Sequence, residues 1–138
     1  MPNTGKLRLR TRIWVEDESG GMVFGLGRMR MLEAIDRTGS ISGAARELGM
    51  SYKAVWGRLK VTEERLGKDL VIRRKGGASG GSSRLSDYAR ELIDAFKELH
   101  AKVLSSDDSR FERILRPVLD ETAEAPSGQD DPPSGCDD

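Results

Sequence analysis

The residues best equipped to do chemistry in this sequence are its cations, and the chemistry they suit is phosphate binding rather than bond making. Between Ser40 and Ser86 lie ten Lys and Arg against four Asp and Glu. Lys53, Trp56, Gly57 and Lys60 recur at i, i+3, i+4, i+7, which puts them on one face of a helix. Ser51 and Tyr52 stand at the N-terminal end of that face, and Ser40 and Ser42 open a shorter helical stretch before it. Hydroxyls and free amides at helix N-termini suit phosphate, and lysine can also reach guanine acceptors. Arg73, Arg74, Lys75 and Arg84 flank a Gly/Ser run at 76–83, as a phosphate-gripping loop requires. These twelve residues form the candidate DNA-binding set. Trp56 and Tyr52 carry a second reading, packing against the first helix or the loop strands, with only the Tyr52 hydroxyl left outside.

Bond-making chemistry has little material to work with. The 138 residues contain one His and one Cys. That excludes an internal disulfide framework and a Cys-only zinc site, and leaves Ser-His and Cys-His catalysis without its parts. His100 stands alone, and no carboxylate pair lies off a helical solvent face. The expectation is therefore a protein that is not an enzyme, with no metal and no cofactor. No apolar run approaches the roughly 18 residues that span a bilayer. The N-terminus MPNTGKLRLR has no apolar core of a secretory signal, so no membrane partner and a cytoplasmic location are expected.

Charge is unevenly distributed. Lys and Arg equal Asp and Glu at 23 each, yet residues 1–104 carry 20 against 13 and residues 105–138 carry 3 against 10. A basic body with an acidic tail hints at a nucleic-acid partner, although ordinary solvation produces such blocks too.

The elements that must position the cations follow from periodicity. Residues 7–15, LRLRTRIWV, alternate with period two and pair back onto 22–24 across the turn cluster EDESGG, giving a β-hairpin arm. From Gly27 the period becomes helical up to Thr38, where Gly39 ends the helix. Ser40 or Ser42 caps a short helix to Leu48, Gly49 closes it, and Ser51 caps a third helix that ends at Gly67. A short Ala-containing helix joined tightly to a longer one is a helix-turn-helix. The segment 69–75 reads as a strand, with Arg84 and Leu85 returning, so the Gly/Ser loop becomes a wing. Ser86 caps a following helix whose residues Leu85, Tyr88, Leu92, Phe96, Leu99 and Val103 form an apolar seam. Core packing and a dimer contact both suit that seam, and the small body favours the dimer. SSDDS at 105–109 should break the helix, with Ser109 and Glu112 capping a last one that Pro117 limits.

The expected architecture is mainly α with small β: an arm at 1–27, a winged helix-turn-helix at 28–86, a dimerisation helix and short following helix at 87–116, and a disordered acidic tail at 117–138. Leu9, Ile13, Met29, Leu92, Phe96, Leu99 and Val103 are the candidate dimer-interface residues.

The stretches GSISGAARELGMSYKAVWGRLK (39–60) and LVIRRKGGASGGSSRLSDYARELI (70–93) resemble the N-terminal DNA-binding domain of the ModE molybdenum-responsive regulators, a relative of the LysR-type winged helix. The likeness covers about residues 7–104. It implies a homodimer in which the arm and the post-wing helix contribute contacts, acting on double-stranded DNA. Full members carry two further domains for molybdate or tungstate, and the stretch after Val103 is too short to hold them. The resemblance is thus to the stand-alone DNA-binding form, which argues against direct sensing of an oxyanion effector. The wing GGASGGSS also lacks the Lys of the family's GGKGGGG, leaving its charge to the flanking cations. The expected function is a sequence-specific regulator reading pseudo-palindromic sites, in molybdate- or tungstate-related gene control. The rival is a winged-helix adaptor that binds protein and no DNA.

Overall fold

A computed structural model describes residues 6–74 and 81–121. The chain divides into two compact units, Arg12–Lys102 on the one hand and Met1–Thr11 with Val103–Asp138 on the other. The first unit carries the fold that matters for function.

It opens with a hairpin of β1 (Trp14–Glu16) and β2 (Met22–Gly25), antiparallel, with Val15 opposite Phe24. Asp17 builds the turn, since its Oδ1 accepts from the Ser19 amide and hydroxyl and from the Gly21 amide. Those bonds, Ser19's hydroxyl first, hold the Asp17 carboxyl below the usual carboxylate range. Three helices follow: α1 (Leu26–Thr38), α2 (Ile41–Leu48) and α3 (Tyr52–Leu66). The boundaries are chemical. Ser40 Oγ accepts from the Gly43 amide at 2.8 Å, and Ser51 Oγ accepts from the Ala54 amide at 3.0 Å. Gly39 and Gly49 end α1 and α2 in the left-handed region, where a side chain would be strained.

The wing is β3 (Val71–Arg74) paired antiparallel with β4 (Ser82–Leu85), in register Val71 to Leu85 and Arg74 to Ser82. Helix α4 (Asp87–Arg110) comes next, its start fixed by Ser86, whose Oγ accepts from the Ala89 amide and donates to the Asp69 carbonyl. The core gathers Phe24, Leu32, Ile35, Val55, Leu59 and Leu70, all essentially without solvent contact. Phe96 of α4 closes it edge-on against Phe24, with ring centroids 5.3 Å apart. This is a winged helix-turn-helix, mainly α with two small hairpins.

Several expectations need correction. The alternation over 7–15 yields pairing only from Trp14, and all of β1 is exposed, so the pattern there is not backed by a buried face. Ser42 lies inside the first turn of α2, which Ser40 caps. The seam of α4 divides. Phe96 is 5% exposed and Met29 is also buried, so both belong to the core rather than to a dimer surface. Ala89 and Ile93 share that buried stripe, Leu92 is partly covered, and Leu99 stays 51% exposed.

SSDDS does not break the helix. Helix α4 continues through it to Arg110, so Ser109 has no cap to make. Ser and Asp cost a helix only a few tenths of a kcal/mol each, about 0.5 on the usual scale, which neighbouring turns absorb. A π-helical turn, Phe111–Leu115, then leads into α5 (Arg116–Glu121), where the Arg116 amide donates to the Phe111 carbonyl. Pro117 sits inside α5 rather than ending a helix. Its missing N–H and its ring, which would meet the carbonyl of Arg113 in a regular α-helix, suit the wider turn. Residues 117–121 are accordingly helical, and the rest of the predicted disordered tail, 122–138, lies outside the described residues.

Glu63 of α3 fixes the wing. It is 8% exposed, and its Oε2 accepts from the amides of Leu70 at 2.8 Å and Val71 at 3.2 Å, where β3 begins. Glu63→Ala would leave two buried donors unpaired, at about 1–3 kcal/mol for each group. Chemical denaturation should show a loss of roughly 2–4 kcal/mol for Glu63→Ala and less for Glu63→Gln, whose amide oxygen can still accept. Equal stability of Glu63→Ala and the parent chain would remove this role.

Candidate nucleic-acid interface

Helix α3 has three distinct sides, and three consecutive residues name them, because each step turns about 100° around the axis. Trp56 faces the wing. The Arg73 guanidinium carbon lies 4.0 Å from the centre of its ring and Lys60 Nζ lies 5.0 Å from it. Gly57 faces outward, and a Cβ built there would meet nothing within 4 Å. Arg58 lies on the far flank with Thr62, whose hydroxyl donates to the Arg58 carbonyl and accepts from Arg28 Nε of α1 at 3.1 Å.

The candidate residues sort onto this frame. Ser40, Ser42, Tyr52, Arg73 and Arg74 come together around an open cleft of about 610 Å³ between the helix-turn-helix and the wing. Ile41, Gly81, Ser82 and Ser83 complete its lining. Ser83 is held there by its amide, which donates to the Gly39 carbonyl at 2.8 Å. Lys53 and Gly57 lie outside the cleft, on the exposed side of α3. Ser51 is exposed too, with its hydroxyl oxygen engaged in capping.

Trp56 and Tyr52 part company. Trp56 is half-buried and packs against both the core and Arg73, which agrees with the packing alternative. Tyr52 is 50% exposed in the cleft, so packing is not its role. Lys60 is partly engaged, with Nζ 3.5 Å from Glu63 Oε1 as well as over Trp56. The wing cations do not share one face. Arg84 pairs across from Ile72 and so lies with Arg74, while Arg73 turns the other way onto Trp56. Lys75 lies outside the described residues.

Ion pairs occur both on and off this surface, with Lys60 and Arg65 of α3 each near a carboxylate. Arg37 pairs with Glu47, Arg90 with Asp36 at 3.1 Å and Lys97 with Glu33 at 2.8 Å. Lys53, Arg58, Arg73, Arg74 and Arg84 make no ion pair among the described residues. These five stay open to a polyanion, as do Arg30 of α1 and Arg46 of α2, which also lack an ion pair among the described residues. Sequence reading missed Glu63, Arg28 and Arg58. Arg58 carried a signal, a cation two residues before Lys60 on the same helix. The other two are defined by partners on distant elements.

Among the described residues no group of His, Cys, Asp and Glu could hold a metal, and no helix is long and apolar enough to cross a membrane.

Comparison with known proteins agrees with this geometry. Residues 26–90 match the bacterial regulatory helix-turn-helix proteins of the lysR family. The molybdenum transport protein ModE of Azotobacter vinelandii is 38% identical over 87 residues, 63% of this chain and 32% of that protein. The molybdenum-pterin-binding protein MopB of Rhodobacter capsulatus is 41% identical over 101 residues, 71% of this chain and 36% of that protein. The DNA-binding transcriptional dual regulator ModE of Escherichia coli K12 is 35% identical over 88 residues, 59% of this chain and 34% of that protein. The chain spans about a third of the length of these curated relatives. Over residues 26–90 the chain is similar to the helix-turn-helix domain of the bacterial lysR regulatory family, and in sequence it resembles the ModE and MopB proteins.

Proposed function

We propose that the chain is a DNA-binding transcription regulator that acts as a homodimer on pseudo-palindromic double-stranded sites. Helix α3 enters the major groove with Lys53 and Gly57 toward the bases, and the wing lies on the phosphate backbone through Arg73 and Arg74. The observation that carries this reading is the outward stripe of α3, clear at Gly57 and bordered by Lys53 and Arg58, which have no ion pair among the described residues. A glycine inside a helix costs about 1 kcal/mol relative to alanine. Nothing in the fold needs the space that Gly57 leaves, which suits close approach by a groove wall. Ser40, Ser42 and Ser51 would then offer helix N-termini to phosphate, Tyr52 its hydroxyl, and Lys60 and Arg84 further positive charge at the margins.

A cytoplasmic regulator with no cofactor of its own fits this reading. The relatives' names connect them with molybdenum, and by that kinship we assign this regulator to molybdenum- or tungsten-related genes, without a direct oxyanion effector in this chain. The dimer contact is assigned to Leu9, Ile13, Leu92, Leu99 and Val103, with Leu99 as its most exposed apolar side chain on α4.

Two measurements test the proposal. Gly57→Ala should raise the melting temperature, by about 4–8 °C for a change near 1 kcal/mol. Gly57→Glu should keep the fold and weaken duplex binding at least roughly tenfold, because it sets a negative charge against the groove. Unchanged affinity in Gly57→Glu would take the outward face of α3 out of the interface. Footprinting on upstream DNA should show two protected half-sites with centres roughly 10 bp apart, or a multiple of that, unaltered by molybdate. A chain that protects no site at low salt would favour the protein-binding adaptor.

A further inference from the structure

We propose that Arg28 and Arg58 form a second phosphate-binding edge, which grips the DNA strand across the major groove from the wing. The proposal rests on the insertion of α3 described above and names a contact that insertion alone does not assign.

A major groove about 12 Å wide has a phosphate wall on each side of a helix that fills it. The wing serves one wall, because Trp56 places Arg73 on that side of α3. Gly57 marks the floor. The next residue, Arg58, belongs to the opposite flank, and its neighbour there is Arg28.

Arg28 is held in place by its own Nε, which donates to Thr62 Oγ1 at 3.1 Å. Thr62 is completely buried, and its hydroxyl proton goes to the Arg58 carbonyl at 2.8 Å, so the oxygen is committed to receiving Arg28. The two terminal nitrogens of Arg28 have no acceptor among the described residues, and Arg58 has neither acceptor nor ion pair there. The third cation of the cluster, Arg65, is already used by the Met22 carbonyl and, at 3.8 Å, by Asp17.

The cluster is electrostatically incomplete. Burial first, then the like charges of Arg58 and Arg65, lower the pKa of Arg28 from its ordinary value. A half-buried guanidinium beside like charges, oriented through one nitrogen and unpaired at the other two, suits the oxygens of a phosphodiester. A solvent-facing helix side would not need Thr62 to fix the fork.

The test uses the full chain on a footprinted duplex. Arg28→Gln and Arg58→Ala should each lower the salt slope of binding by about one unit, while Arg28→Lys keeps the slope. Phosphate-ethylation interference should disappear at phosphates on the strand opposite those released by Arg74→Ala. The edge is refuted if the folded variants keep the parental slope, or if they release the same phosphates as Arg74→Ala. If the parent chain binds no duplex, the DNA reading falls and this proposal with it. If the parent and Arg74→Ala behave as expected and the flank variants do not, this proposal alone falls. Thermal-shift titration with inorganic phosphate separates a free oxyanion from the DNA backbone. Stabilisation by phosphate that Arg58→Ala abolishes, with the DNA salt slope untouched, would assign the edge to a free oxyanion and overturn it as a DNA contact.

Discussion

A single buried carboxylate joins the two halves of the basic surface. Glu63 sits near the end of α3, away from solvent, and accepts the first amides of the wing strand. A carboxylate in that position is costly to desolvate, and the two amides with Lys60 at its other oxygen offset that cost. Because the wing is a two-stranded ribbon, it has little stability of its own. The Glu63 joint, with Ser86 bonding the Asp69 carbonyl and Ser83 bonding Gly39, ties both strands to the helical body. The stack of Arg73 on Trp56 then sets a wing cation beside α3. Without that joint the same residues would exist as separate charged segments with no fixed spacing between them.

The division of charge follows from the same arrangement. Ion pairs tie α1 to α2 and to α4, where they face solvent and contribute little to stability. On α3 Lys60 and Arg65 have carboxylate partners, whereas Lys53, Arg58, Arg73, Arg74 and Arg84 have none among the described residues. A net charge of zero conceals this, since it averages a basic body with acidic residues concentrated from 105 onward.

Much of the fold is legible in the sequence because its determinants are local. Ser40, Ser51 and Ser86 each cap the helix they precede, and Gly39, Gly49 and Gly67 end helices in a conformation that suits glycine. The order of helix-turn-helix and hairpin follows from those marks. The failures have a common cause. SSDDS reads as a breaker only if propensity acts alone, whereas α4 carries it within a long helix. Phe96 reads as a seam residue until Phe24 is known to lie against it. For Tyr52 the sequence leaves both a site role and packing open, and only its neighbours, the serines and arginines of an open cleft, distinguish them. Of the candidate site, the cations of α3 and the wing were visible from spacing. The partners that orient them were not: Glu63 binds backbone amides, which leave no mark in a sequence, and Arg28 meets Thr62 across a gap of 34 residues.

In the proposed function, α3 and the wing act together as one duplex-reading surface. Amide chemical-shift mapping during titration with a footprinted duplex tests this most directly. The prediction is that shifts concentrate at Ser40–Ile41, along Ser51 to Lys60, and at Arg73, Arg74, Ser82 and Ser83, all appearing at the same duplex concentration. Shifts confined to the exposed apolar side of α4 around Leu99, with α3 and the wing silent, would contradict it.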